Sequence, residues 1–213
     1  MRAVIFDLWD TLADWPLAES MRLRDRMAAV LGLPDEEFAE RWHATYRVSQ
    51  TGPLAAAYRG LGIPEHELDT HVDAWRALGR NGRRPRAGAT RALTELRRRG
   101  VKLAVMSVCS EEVPAAWPST EFAGLFDAET FSSDCGLMKP DPEIYLHTAR
   151  ALEADPADCL FVGDGANDEL AGAERVGMTP VLYLPEGATS PWSNVRGWVG
   201  LRVTSYEQVL ELC

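Results

Sequence analysis

The chain has 213 residues, 46% hydrophobic and 25% charged, globular averages that exclude a disordered tail protein and a coiled coil. Its 22 basic and 32 acidic residues leave a formal charge of −10, which repels a phosphate backbone and makes nucleic acid an unsuitable partner. No apolar run approaches the roughly 18 residues of a membrane span, and the first apolar stretch is too short for a signal peptide, so a soluble, cytoplasmic protein with no membrane partner is expected.

In chain order, AVIF at Ala3 to Phe6 is the first short apolar run. Its continuous rather than alternating hydrophobicity predicts a strand covered on both faces. From Pro16 to about Arg84 no convincing strand follows. There Phe38, Trp42 and Tyr46 recur every fourth residue, and Leu68, Val72, Trp75 and Leu78 at steps of four, three and three. Pro34, Pro53 and Pro64 stand where helices start, so this stretch reads as an inserted module of about four short helices. It holds ten basic and ten acidic residues, which leaves the whole net charge to the rest of the chain.

A helix is predicted over Arg86 to Arg99, stopping at Gly100, with Arg97 to Arg99 complementing its C-terminal dipole. The basic run from Arg80 to Arg99 is therefore read as largely a solvated helix end. Further strands are expected at Val101 to Met106, Asp127 to Phe131, Cys159 to Val162 and Thr179 to Leu184. Helices are expected at Pro142 to Ala154 and Asp168 to Val176, and Ser205 with Gln208 reads as a capping box opening a last one. This alternation predicts an α/β protein with a doubly wound parallel sheet, formed by residues 1–15 and 85–213 and interrupted by a helical domain at 16–84. Cys109, Cys135, Cys159 and Cys213 lack metal-ligand spacing and read as reduced thiols.

Open parallel sheets bind ligands beyond the carboxyl ends of their strands. AVIF runs into Asp7 of DLWDTL, VKLAVM into Ser107, and CLFVG into Asp164 of GDGANDE, while Lys139 of GLMKPDPEIY precedes a helix. Carboxylates, a hydroxyl and an ammonium thus meet at one edge. Lys139 is one of only two lysines beside 20 arginines, so composition alone would have placed Arg there. A compact ammonium can contact both a carboxylate and a phosphoryl oxygen.

This set, in this order, resembles the haloacid dehalogenase-like hydrolase superfamily, whose motifs are a DxDxT segment, a Ser or Thr, a Lys and an acidic GDxxxD segment. The resemblance implies a Rossmann-like core with a helical cap, in members that are mostly magnesium-dependent phosphatases of small phosphorylated molecules. It implies that Asp7 is the nucleophile, forming an aspartyl-phosphate that water hydrolyses. It makes Asp7, the backbone carbonyl of Trp9 and Asp164 ligands of Mg2+, with Asp168 contacting the ion or holding a water on it. Lys139, the Ser107 hydroxyl and the Val108 N–H would hold the phosphoryl group. Val108 departs from the family's usual Asn.

A larger departure lies at Trp9, where most phosphatases of the superfamily carry a general acid/base Asp; indole can neither give nor take that proton. Two further readings therefore stand beside phosphate ester hydrolysis. One is a dehalogenase forming an ester on Asp7; the other is a weakly active binding or regulatory protein. The acidic GDGAND segment argues against the metal-free dehalogenases, and the insert contains no lysine for a phosphonatase Schiff base. Oligomeric state is not legible.

Overall fold

A computed structural model of the chain describes residues 3–81 and 84–213; Met1 and Arg2 of the expected core, and Gly82 and Arg83 of the expected insert, lie outside the described residues. Six strands, β1 (Ala3–Phe6), β2 (Lys102–Ser107), β3 (Ala128–Phe131), β4 (Cys159–Gly163), β5 (Thr179–Tyr183) and β6 (Leu201–Val203), form one sheet in the order β3-β2-β1-β4-β5-β6. Every neighbouring pair is parallel. β1 is central, with Phe6 in register with Val105 on one side and Val162 on the other. The strand order reverses between β1 and β4, the position where such sheets open a crevice.

Among the described residues ten α-helices accompany the sheet: α1 (Leu17–Leu31), α2 (Asp35–Thr51), α3 (Leu54–Leu61), α4 (Glu65–Asn81), α5 (Ala89–Arg98), α6 (Glu112–Ala116), α7 (Ser132–Cys135), α8 (Pro142–Ala151), α9 (Glu169–Arg175) and α10 (Tyr206–Glu211). Successive strand residues feed opposite layers, as the period of two requires. Val4, Phe6, Leu103, Val105, Leu160 and Val162 pack with Leu93 and Leu96 of α5 and Val209 of α10. Ile5, Ala104, Met106 and Phe161 pack with Ile144 and Tyr145 of α8 and Leu170 and Ala173 of α9. The doubly wound α/β architecture expected from the alternation is what forms.

Helices α1 to α4 share a third core, with Met27, Phe38, Leu54, Tyr58, Leu61, Leu68, Val72 and Trp75 buried together. Pro34 and Pro53 cap α2 and α3, while Gly32 and Gly62 end α1 and α3 in the left-handed conformation that lacks a Cβ penalty. This helical unit touches the segments that follow β2 and β3. Trp75 Nε1 donates to Ser110 Oγ (3.2 Å), Leu54 N–H to Glu111 Oε2 (3.2 Å), and Ser132 Oγ to the Gln50 carbonyl (2.6 Å).

Element boundaries differ from expectation where local chemistry intervenes. α5 begins at Ala89 rather than Arg86, because Gly88 is left-handed at φ 90° and Arg86 turns aside to bond Asp14 Oδ1 at 2.6 Å. α8 stops at Ala151, before Glu153 at φ 50°. α9 begins at Glu169 rather than Asp168.

Candidate active site

Asp7 follows β1 directly, and its backbone N–H still bonds the Val162 carbonyl (2.9 Å), so the ladder sets where its carboxylate stands. Asp164 follows β4, the neighbouring strand. Lys139 is 2% exposed; its Nζ donates to Asp7 Oδ1 and, at 2.5 Å, to Glu169 Oε2, and stands 5.5 Å over the Phe161 ring. Carboxylate oxygens of Asp7, Asp164 and Glu169 all lie within 4.8 Å of one another.

Three carboxylates and one ammonium leave this buried cluster two negative charges in excess when all are ionised. Burial and the Asp7 charge push Asp164 up to about 6, against hydrogen bonds from Trp192 and Ala166. Glu169 is pushed well up by burial and by Asp7 and Asp164, with Lys139 opposing. Burial works against the charge on Lys139, yet attraction to Asp7 and Glu169 outweighs it and raises its pKa, so the ammonium persists. A divalent cation would balance the surplus, and hard oxygen donors suit Mg2+. The donor set fits the ion.

The sequence-predicted residues divide into two groups. Asp7, Lys139, Asp164, Trp9 and Val108 line one cavity of about 530 Å3. Ser107 ends β2 fully buried, and its Oγ has no hydrogen-bond partner among the described residues, as expected of a donor whose acceptor is a ligand. Asp168 corrects the expectation. Asn167 and Asp168 both adopt left-handed backbone (φ 52° and 53°), so the turn after Asp164 runs one residue past helical register. The Asp168 side chain is exposed, and Glu169 takes the inward position, accepting from Gly165 N–H at 2.9 Å as well as from Lys139. Gly163 makes room for it: a Cβ there would collide with the Glu169 carboxylate, 2.7 Å from its Cδ.

Two features escaped sequence reasoning. Trp192, in the segment after β5, donates its indole N–H to Asp164 Oδ2 (2.7 Å), and neighbouring Asn194 donates to the Gly165 carbonyl (2.9 Å). Neither residue belongs to a motif or a periodic run. The other is an aromatic wall contributed by Trp9, Trp15, Trp42, Tyr46 and Trp75. Asp10, left-handed at φ 56°, accepts from Trp15 N–H (3.2 Å) and lies 3.7 Å from Arg86; burial raises its pKa against both partners.

A sequence model of the haloacid dehalogenase-like hydrolase family matches residues 1–177. The chain is 31% identical over 205 residues to Phosphatase MT3486 of Mycobacterium tuberculosis (strain CDC 1551 / Oshkosh), covering 88% of this chain and 89% of that protein. Among solved structures it resembles a HAD phosphatase from Thermococcus onnurineus (TM-score 0.72, 20% identity, 100% and 97% of the two chains). It also resembles a 2-haloacid dehalogenase from Pseudomonas syringae pv. Tomato DC3000 (TM-score 0.71, 23% identity, 100% and 97%). These low-identity likenesses concern the fold alone. With the family matched over most of the chain and a phosphatase relative spanning nearly all of it, the protein is a phosphatase-like hydrolase of the haloacid dehalogenase-like family.

Proposed function

We propose that this chain is a magnesium-dependent phosphate monoester hydrolase acting on a small phosphorylated molecule through an aspartyl-phosphate on Asp7. In this reading residues 1–15 and 85–213 form the catalytic core, and residues 16–84 form a helical cap over it. The observation that carries the proposal is the buried cluster of Asp7, Asp164, Glu169 and Lys139, of which Asp7, Asp164 and Lys139 line one cavity. Among the described residues Cys109, Cys135, Cys159 and Cys213 form no disulfide, which fits a reducing, cytoplasmic setting.

Asp7, Asp164 and the backbone carbonyl of Trp9 would hold Mg2+, with Glu169 rather than Asp168 supporting the set. When bound, the ion supplies positive charge for an attack of one anion on another. Asp7 forms the new bond to phosphorus as the ester P–O bond breaks. Lys139, the Ser107 hydroxyl and the Val108 N–H stabilise the phosphoryl oxygens, and water then attacks phosphorus, releasing phosphate and restoring the carboxylate. An alkoxide leaving group also needs a proton, which the Trp9 indole cannot give. A phenolate does not.

The test is hydrolysis of p-nitrophenyl phosphate with magnesium and with chelator. Turnover that requires the metal and disappears in Asp7→Asn is expected. Full activity in chelated protein would overturn the metal-dependent reading and favour ester formation on Asp7 from a halogenated substrate. Metal binding without turnover even on this activated ester would favour the binding-protein reading, which the indole at position 9 supports.

A further inference from the structure

Five of the seven tryptophans line the cavity: Trp9 and Trp15 from the segment after β1, Trp42 from α2, Trp75 from α4 and Trp192 from the segment after β5. Four of them form a continuous chain of ring contacts. Trp9 meets Trp15 edge-on (4.9 Å, 81°), Trp15 meets Trp75 (6.3 Å, 46°), and Trp75 meets Trp42 (5.4 Å, 48°). Tilted in this way, these four rings are not stacked face to face on one another, and all four line the cavity. Trp42 is held in place by further neighbours: it stacks on Phe38 (5.9 Å), tilts against Tyr58 (6.3 Å) and carries the Arg24 guanidinium 5.0 Å from its ring centre. Trp75 spends its N–H on Ser110 and Trp192 on Asp164, so what these two rings have left to offer is apolar.

Indole faces carry negative quadrupole density and large apolar area; they favour another aromatic ring and disfavour a carboxylate. Resting on the phosphatase reading of the same floor, we propose that the cavity is specific for phosphate monoesters whose alcohol carries a flat aromatic group. The phosphate would sit on Lys139 and the ring against Trp15, Trp42 and Trp75. Esters of small hydroxy acids, whose carboxylate would face the indoles, are poor ligands in this account. Trp42 and Trp15 are then specificity-determining residues.

The test measures binding separately from turnover. Naphthylmethylphosphonate, ethylphosphonate and phosphonoacetate keep the phosphoryl-like group and differ only in what meets the wall. Isothermal titration of each into the full chain with magnesium should give at least about tenfold tighter binding of the naphthyl compound than of either other. Trp42→Leu, checked for folding by thermal melting, should reduce that preference to below about threefold. Equal affinities, or preference for phosphonoacetate, would overturn the inference while leaving the hydrolase reading intact. Selective binding of the naphthyl compound without hydrolysis of p-nitrophenyl phosphate or naphthylmethyl phosphate would support the cavity inference and overturn the phosphatase reading. If Trp42→Leu does not fold, the wild-type comparison still decides.

Discussion

Glu169 and Asp168 are adjacent acids with opposite surroundings: one is fully buried between Lys139 and the Gly165 N–H, the other is exposed on a left-handed turn. Glu169→Gln removes a carboxylate oxygen that accepts from Lys139 and should lower kcat/KM about 10- to 100-fold, the usual scale for groups that orient a metal site. Asp168→Asn should stay within about twofold. Steady-state kinetics of the two variants on p-nitrophenyl phosphate make the comparison. Because the pKa of Asp164 is raised to about 6, a proton competes with metal there below that pH. In metal-free protein the same shift means that Asp164 contributes stability while protonated, in full below its ordinary carboxylate range and lost as pH rises through about 6. Magnesium should therefore raise Tm more at pH 7.5 than at about pH 5.5, where its apparent affinity weakens toward tenfold per pH unit. Trp9→Asp restores a proton carrier and should raise alkyl phosphate turnover more than aryl phosphate turnover, since general acid–base catalysis is worth about 10²- to 10⁴-fold. Equal or lower alkyl phosphate turnover in a well-folded Trp9→Asp protein would point to another proton source, such as Asp10. The convergence of Asp7, Lys139 and Asp164 was legible because each stands at a strand end or in a short motif. The inward position was assigned to Asp168 instead of Glu169 because Asn and Asp tolerate left-handed backbone that no helical periodicity announces.

At the scale of elements, the pairing of α8 with α9 holds the cluster in place. Tyr145 Oη donates to the Glu169 carbonyl (2.9 Å), and Gly172 leaves space for that ring, since a Cβ there would stand 2.7 Å from Tyr145 Cζ and 2.8 Å from Cε2. Gly172→Ala should therefore cost about 1–3 kcal/mol by overpacking and lower Tm by about 2–4 °C per kcal/mol, read by calorimetry. An unchanged Tm would mean that the two helices separate freely. The strands β1, β2, β4 and β5 were readable because central parallel strands are apolar on both faces. β6 was not: of its three residues Leu201 and Arg202 are exposed, and an edge strand of that length has no pattern to detect. α6 is five residues long with Pro114 inside, too short for periodicity, yet the Ser110 and Glu111 just before it are among the residues that the inserted helices touch.

Across the whole molecule, a sheet that reverses order beside β1 opens a crevice at the ends of β1 and β4, and α1 to α4 carry their own apolar core. The insert was legible as helices from its periodicity and prolines. The contacts by which it docks were not, because the Trp75 indole and the Gln50 carbonyl acquire partners only once the chain brings residues 110 and 132 beside them. Among the described residues no helix is long and apolar enough to cross a membrane. The central claim is that Asp7 carries the phosphoryl group between two half-reactions. Rapid mixing with p-nitrophenyl phosphate and magnesium, acid quench and mass spectrometry of the digested protein should find a phosphoryl group on Asp7 that appears within the first turnover and is absent in Asp7→Asn. Sustained turnover with no phosphorylated Asp7, or with the label on another residue, would contradict it.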